Sequence, residues 1–476
     1  MKRQVFNPYL PSYEYIPDGE PHIFNGRLYI YGSHDRFGAG FFCDNDYVLW
    51  STPVDDLSDW TYHGIIYKKE QDPLNVIEKN PLFAPDVTQG SDGRYYLYYC
   101  PCNTRSIGVA VSDTPEGPFE FLNHVQYENK KLLGQNEYDP YPFDPAVLHE
   151  ENKTYLYIGF APDLSWDFME KEFGSIPLSS GPYVSELDED MYTCTRPSKI
   201  EILNCEDKGH DFFEAASIRK FDDTYYFIYS SWNSHELCYA TGKDPKGPFT
   251  YQGILHDNGD IGIRKENDRV SYTGNNHSSL IRIKDSYYIF GHRQTNYSAY
   301  ARQGIAEKIE RRPDGTFKQA ELTSCGLNDT YLIPEGTYGA CIACHLTAKD
   351  GASHYIDQCD EDFKLNNPAF SQDGEDREKD PDQYIKNMRD GSTCGFKYFS
   401  YKKELRIDVT TRGEEGSLEV RTSLHGPILC HIPLEQGSTY HRSKTVSFEL
   451  DVQEKFPLYF TYRGNGYIDL LEFTLS

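Results

Sequence analysis

The sequence predicts an all-β protein: a five-bladed β-propeller over residues 1–320, followed by a β-sandwich of jelly-roll type over residues 335–476. Two observations predict the propeller and a third the sandwich. First, a short tyrosine-rich segment recurs as Arg27–Ser33 (RLYIYGS), Arg94–Cys100 (RYYLYYC), Thr154–Phe160 (TYLYIGF), Thr224–Ser230 (TYYFIYS) and Ser286–His292 (SYYIFGH). The copies start 67, 60, 70 and 62 residues apart. Self-similarity at a near-fixed period indicates units that bury their apolar faces only against neighbours. Each copy is rich in tyrosine and β-branched residues and follows turn residues, so it reads as a strand. The interval suits a four-stranded blade with generous loops, and five blades closing into a ring is the economical arrangement.

Second, a polar ionisable side chain stands eight to ten residues before every copy: Asp18, Asp86, Asp144, Glu214 and His277. The innermost strand of each propeller blade faces the central channel, so equivalent positions converge on one small space. Four carboxylates and an imidazole crowded together repel and desolvate one another, which splits their pKa values as acid/base chemistry requires.

Third, the repeat stops by about Pro334. Phe396–Tyr401, Leu405–Thr410, Ser417–Arg421, Thr445–Val452 and Pro457–Tyr462 then read as alternating strands, several of them separated by Gly-containing turns, the pattern of an antiparallel sandwich. Within the repeats, SDTPEGPF at Ser112–Phe119 and KDPKGPF at Lys243–Phe249 mark tight turns before outer strands. The long irregular stretch Asp163–Ser185 reads as a loop over one face of the ring.

Composition narrows the function classes. The 39 Tyr and 27 Phe among 476 residues favour strands and suit stacking on sugar rings. A net charge of −27 argues against a nucleic-acid partner, because a polyanion is repelled. The twelve cysteines form neither a disulfide framework nor a zinc spacing. Met1–Tyr15 lacks an apolar signal core and no stretch approaches a membrane span, so a cytoplasmic protein with reduced thiols is expected.

Around these positions stand PDGEPH (Asp18), APDV (Asp86), FDPAV (Asp144), EAAS (Glu214), NHSS (His277) and GHR (Arg293). Their order and blade-by-blade spacing resemble glycoside hydrolase family 43, whose members are five-bladed propeller enzymes. The C-terminal part, through GFKYF (Gly395–Phe399), RG followed by SLEV (Arg412–Val420) and LYFTYRGNGYIDLLEF (Leu458–Phe473), resembles carbohydrate-binding module family 6.

The first resemblance implies an inverting hydrolase of glycosidic bonds. Asp18 would be the general base, Glu214 the general acid, and Asp144 the group that orients Glu214 and keeps its pKa up. Inversion needs a water between base and sugar, hence carboxyls about 6.5–9.5 Å apart. Asp86, Arg293, His22 and Trp232 are expected to bind substrate, and His277 to face a hydrated calcium ion in the channel. Glu20 is a rival base, since the segment reads Asp-Gly-Glu-Pro where many relatives read Asp-Pro. His34 and Asp35 read as structural.

The substrate implied is an oligosaccharide of plant type with terminal α-L-arabinofuranosyl or β-D-xylosyl residues, and an exo mode of action. A β-D-galactofuranosidase or other galactan-directed enzyme, and a non-catalytic sugar-binding propeller, are the alternatives. The Asn-Asp-Pro-Asn nucleophile motif of fructan-acting propellers is not found near Asp18. The period also exceeds the 40–45 residues of tryptophan–aspartate repeats.

Overall fold

A computed structural model of the chain describes residues 4–77, 79–162, 181–264, 268–376, 383–450 and 454–476. Up to residue 180, the loop expected over one face of the ring lies outside the described residues.

Five antiparallel sheets form the propeller. Blade one contains Glu20–Phe24, Arg27–Tyr31, Tyr47–Pro53 and Thr61–Tyr67, and blade two Asp86–Gln89, Tyr95–Tyr99, Gly108–Ser112 and Glu120–His124. Blade three contains Ala146–Glu150, Lys153–Gly159, Pro182–Leu187 and Ser198–Lys199. Blade four contains Phe212–Phe221, Thr224–Ser231, Leu237–Gly242 and Phe249–His256, with Ile202–Leu203 added in parallel at its edge. Blade five contains Leu280–Ile283, Ser286–Thr295 and Ser298–Ile309. Every copy of the aromatic repeat is the second strand of its blade.

Alternation along that second strand closes the ring. Successive side chains of a strand point to opposite faces, and each face here meets a different neighbour. Tyr29 and Tyr31 pack with Leu97 and Tyr99 of blade two. Leu28 and Ile30 pack on the other side with Ile281, Tyr288 and Phe290 of blade five. Tyr96 and Tyr98 meet Leu156 and Ile158, Tyr155 and Tyr157 meet Phe227 and Tyr229, and Tyr226 and Ile228 meet Ile289. Each such buried side chain contributes about 1.5–3 kcal/mol. The repeat is therefore a packing device: one face per neighbour, five times around.

The second domain is a two-sheet sandwich. One sheet runs Ala369–Gln372, Gln383–Arg389, Tyr467–Leu475, Glu404–Gly413 and Gly437–Arg442, with Gly336–Gly339 and Val446–Glu449 paired alongside. The other runs His345–Thr347, Thr393–Ser400, Lys455–Arg463, Gly416–Arg421 and Cys430–Leu434. Phe396, Phe460 and Phe473 fill the space between them, with ring centroids 4.7–5.3 Å apart.

The sandwich is fastened to the propeller by buried polar groups. Lys397 reaches Asp260 (3.0 Å) and Glu321 (2.8 Å), and His345 lies 2.9 Å from Asp260. A strap at residues 353–357 runs beside blade five: Thr273 N donates to Ser353 O, Tyr355 N to Thr273 O and Ala299 N to Asp357 O. Through that strap the second domain reaches the top of the channel.

Candidate active site

Asp18, Asp144, Glu214 and His277 line one cavity of about 890 Å³ at the channel mouth. The backbone aims them there. Asp18 and Asp144 sit just before the first strands of blades one and three, in the left-handed region at φ 56° and 44°. Aspartate tolerates that region better than most residues, and the turn directs each carboxyl into the channel. Glu214 lies at a register shift of the first strand of blade four, followed by Ala215 at φ 61°. A bulge re-aims a side chain that regular pleating would place elsewhere. Ala215 N–H donates to Asp144 Oδ2 at 3.1 Å, tying the two carboxyl positions together.

The three carboxyls have been driven in opposite directions. Burial alone would raise Asp18, but Arg302, with His292 and His277, holds it below the usual carboxylate range. Arg302 Nη1 donates to Asp18 Oδ1 at 3.1 Å. Burial and then the like charge of Asp144 push Glu214 well above its ordinary value. Asp144 rises to about 6 through burial, against the pull of His277. One ionised carboxylate and one protonated carboxyl in a single cavity is the pairing that acid/base chemistry needs.

His277 is the hinge of this network. Its Nδ1 lies 3.6 Å from Asp144 Oδ2 and its Nε2 3.6 Å from Glu20 Oε1. Burial would lower it, but Glu20, Asp144 and Asp18 raise it to about 9. Glu20, the rival base, does not line the cavity. Arg219 Nη2 meets it at 2.5 Å and Ser217 Oγ at 3.2 Å. Burial opposes ionisation there too, yet Arg219 and His277 bring Glu20 down to about 2.

Three of the expected substrate contacts, Asp86, His22 and Arg293, do not line the cavity. Asp86 is fully buried away from the cavity: Oδ1 accepts from Val87 N and meets His22 Nε2 (2.6 Å), and Oδ2 accepts from Val147 N. With both oxygens committed it ties blades one, two and three together, and His22 is its partner rather than a lining residue. Arg293 points away from the channel. Its Nη1 donates to Cys341 O and Ala343 O, its Nη2 to Gln303, and it lies 3.8 Å over the Phe370 ring. It holds the second domain. Arg302, on the neighbouring strand, lines the cavity in its place. Arg293 pairs with Gln303, and Arg302 with Gln294, so the two arginines stand on opposite faces of the sheet. Both are buried, which sequence spacing does not reveal.

Asp35 orients Arg302 through two contacts of 2.9 Å to Nε and Nη2, while His34 lies 3.2 Å from Glu14. Trp232 does line the cavity, packing edge-on against Phe213 at 5.2 Å. The remaining wall is aromatic and comes from several blades: Phe42 meets Tyr300 at 4.6 Å, Phe83 meets Phe143 at 5.4 Å, and Phe143 meets Phe160 at 4.8 Å. The strap adds His354, Tyr355, Ile356 and Asp357. His235, whose ring is stacked near that of His354, lies 3.6 Å from Glu214 Oε1. Arg302, Tyr300, His235 and the strap escaped the sequence reading. The alternation of SAYARQG in Ser298–Gly304 was the available signal for Arg302.

A five-bladed propeller with three carboxyls gathered in its mouth is the framework of a glycoside hydrolase. The chain belongs to glycosyl hydrolases family 43, whose profile matches residues 21–317. A xylosidase/arabinosidase of Thermoclostridium stercorarium is 46% identical over 480 residues, covering 100% of this chain and 99% of the relative. Xylosidase/arabinosidase 43A of Humicola insolens is 33% identical over 314 residues, covering 58% of this chain and 88% of the relative. Among solved structures, a family 43 β-xylosidase/α-arabinofuranosidase from a compost metagenome, in complex with xylotriose and in calcium-free form, aligns with TM-score 0.52 at 26% identity. It covers 67% of this chain and 98% of its own. An arabinoxylan arabinofuranohydrolase of Bacillus subtilis shares the fold over 99% of this chain and 97% of its own, at TM-score 0.51 and 19% identity.

Proposed function

We propose that the protein is an inverting exo-glycosidase that releases terminal β-D-xylosyl or α-L-arabinofuranosyl residues, with Asp18 as general base, Glu214 as general acid and Asp144 as the group that tunes and orients Glu214. One observation carries the reading: carboxyls from blades one, three and four share a single cavity, with Asp18 held below the usual carboxylate range and Glu214 pushed above it.

Asp18, steadied by Arg302, takes a proton from water at the anomeric carbon. Glu214 gives its proton to the leaving oxygen on the opposite side. Charge that develops on the sugar meets the ionised Asp18 and the Asp144 carboxyl. The aromatic wall excludes bulk water and offers faces to sugar C–H groups, and the strap of the second domain closes one side, which favours a pocket for a chain end. The full-length xylosidase/arabinosidase relative supports this choice of sugars.

The channel also suits a hydrated calcium ion. Glu20 Oε1 and His277 Nε2 are buried, lie 3.6 Å apart and make no hydrogen bond of ordinary length among the described residues. Glu20 Oε1 would offer the ion a carboxylate oxygen, and His277, with its pKa raised to about 9, would stand beside the shell of water oxygens rather than ligate the ion.

A panel of p-nitrophenyl furanosides and pyranosides tests the substrate, and NMR of the first-released anomer tests inversion. Turnover of β-D-xyloside or α-L-arabinofuranoside with release of the inverted anomer is expected. Hydrolysis of neither, or release of the retained anomer, removes the reading.

A further inference from the structure

The catalytic cavity does not end at its rim. Beyond Ser234 and Arg269, which line both spaces, it continues into a groove of about 1050 Å³ between the propeller and the sandwich. In a chain of net charge −27 this groove is cationic. Its wall carries Arg264, Arg269, Lys349, Arg421 and Arg463 against the carboxylates of Asp268 and Asp350.

Two of the five cations are accounted for. Arg421 and Arg463 both bind Glu419, at 2.6 and 3.1 Å. The other three have no carboxylate within ion-pair distance among the described residues. Arg264 donates Nη2 to the backbone carbonyl of Asp268, and Arg269 donates Nη2 to Ser234 Oγ at 2.6 Å. The Nε atoms of both arginines are buried without a partner. Lys349 is exposed beside them. Guanidinium groups with unspent donors in a groove select planar anions, which they can hold through two parallel hydrogen bonds.

The position of the groove says which part of a substrate would lie in it. Ser234 precedes His235, which stands 3.6 Å from Glu214 Oε1, so the groove opens on the side of the proposed acid. The acid protonates the leaving group, and the groove therefore receives what leaves. Resting on the reading of Glu214 given above, we propose that this groove binds the leaving-group side of the oligosaccharide and that Arg264, Arg269 and Lys349 recognise the carboxylate of a uronic acid carried there. The enzyme then prefers acidic, uronate-bearing oligosaccharides over neutral ones, although its cavity takes a neutral terminal sugar.

The test compares glucuronosyl-xylotetraose with neutral xylotetraose by calorimetry, on the full chain carrying Glu214→Gln to stop turnover. At low ionic strength the charged probe should bind about tenfold more tightly, and 0.5 M NaCl should erase the difference. Arg264→Gln and Lys349→Gln should each remove several-fold of that preference while leaving xylotetraose affinity unchanged. Lys349 is exposed, so its variant tests the idea even where Arg264→Gln fails to fold. In the otherwise wild-type chain, both variants should turn over a neutral aryl xyloside at the parental rate. That assay separates failure of the glycosidase reading from failure of this one, because the binding arm needs no turnover. Equal affinity for the two probes, or equal weakening of both by the variants, overturns the proposal. So does displacement of the charged probe by inorganic phosphate at similar concentration, which would make the groove a general anion site.

Discussion

Asp144→Asn isolates the electrostatic part of the proposed mechanism. Burial, then the like charges of Asp144 and Asp18, raise Glu214, and the substitution removes only the Asp144 charge. Asp144 Oδ2 accepts from the N–H of Ala215, one peptide beyond Glu214, so chain geometry puts the two carboxyl charges roughly 5–7 Å apart. At an effective dielectric of about 20, like charges at that separation repel by about 2.5–3.5 kcal/mol. One pKa unit is about 1.4 kcal/mol, so Glu214 should fall by roughly two units. The sign follows from its role. An acid acts while protonated, so activity is present below its pKa and lost as pH rises through it, and a lower pKa brings that loss at lower pH. The alkaline limb of kcat/KM on a p-nitrophenyl xyloside should move down by roughly two pH units. Asparagine keeps an acceptor for Ala215 N–H, so the bulge at Glu214 persists. A folded variant with an unmoved alkaline limb would refute the tuning role.

Two further outcomes follow from the buried ion pairs. Arg302→Lys keeps the charge but loses the fork that joins Asp18 to Asp35; kcat/KM should fall roughly 100-fold and stability by about 3 kcal/mol, and parental values for both would show that the fork is idle. Lys397→Met strips Asp260 of its cation and should cost about 3–5 kcal/mol, read by chemical denaturation. In the wild type, burial would raise Asp260, but Lys397 and His345 hold it low, so its stabilisation is present above the unfolded carboxylate pKa and is lost as pH falls through the folded value. The gap between variant and wild type should therefore hold down to about pH 4, the unfolded carboxylate value, and narrow only below it; a gap that stays constant on further acidification contradicts the assignment.

The ring itself was legible because alternation and period are local properties. Tyr29 and Leu28 advertise opposite faces whatever surrounds them, and five copies at one interval leave a closed ring as the simplest way to cover both. The equivalent position before each copy led to Asp18, Asp144, Glu214 and His277 for the same reason. It also led to Asp86, which occupies the same place but faces Val147 N and His22; spacing reports the position of a residue in its blade and not the direction of its side chain. Arg293 and Arg302 lie on paired strands of one blade, and only the register between Gln294 and Arg302 decides which arginine sees the channel. The strap at residues 353–357 and the aromatic wall join segments far apart in the chain through loops that carry no periodic signal, so they became visible only with the fold.

The most direct test of the whole account is the turnover of Asp18→Asn and Glu214→Gln, measured beside their melting curves on the same preparations. Loss of at least about a thousandfold in kcat in each, with cooperative unfolding retained, is the predicted result. Either variant hydrolysing the substrate at the parental rate would contradict it.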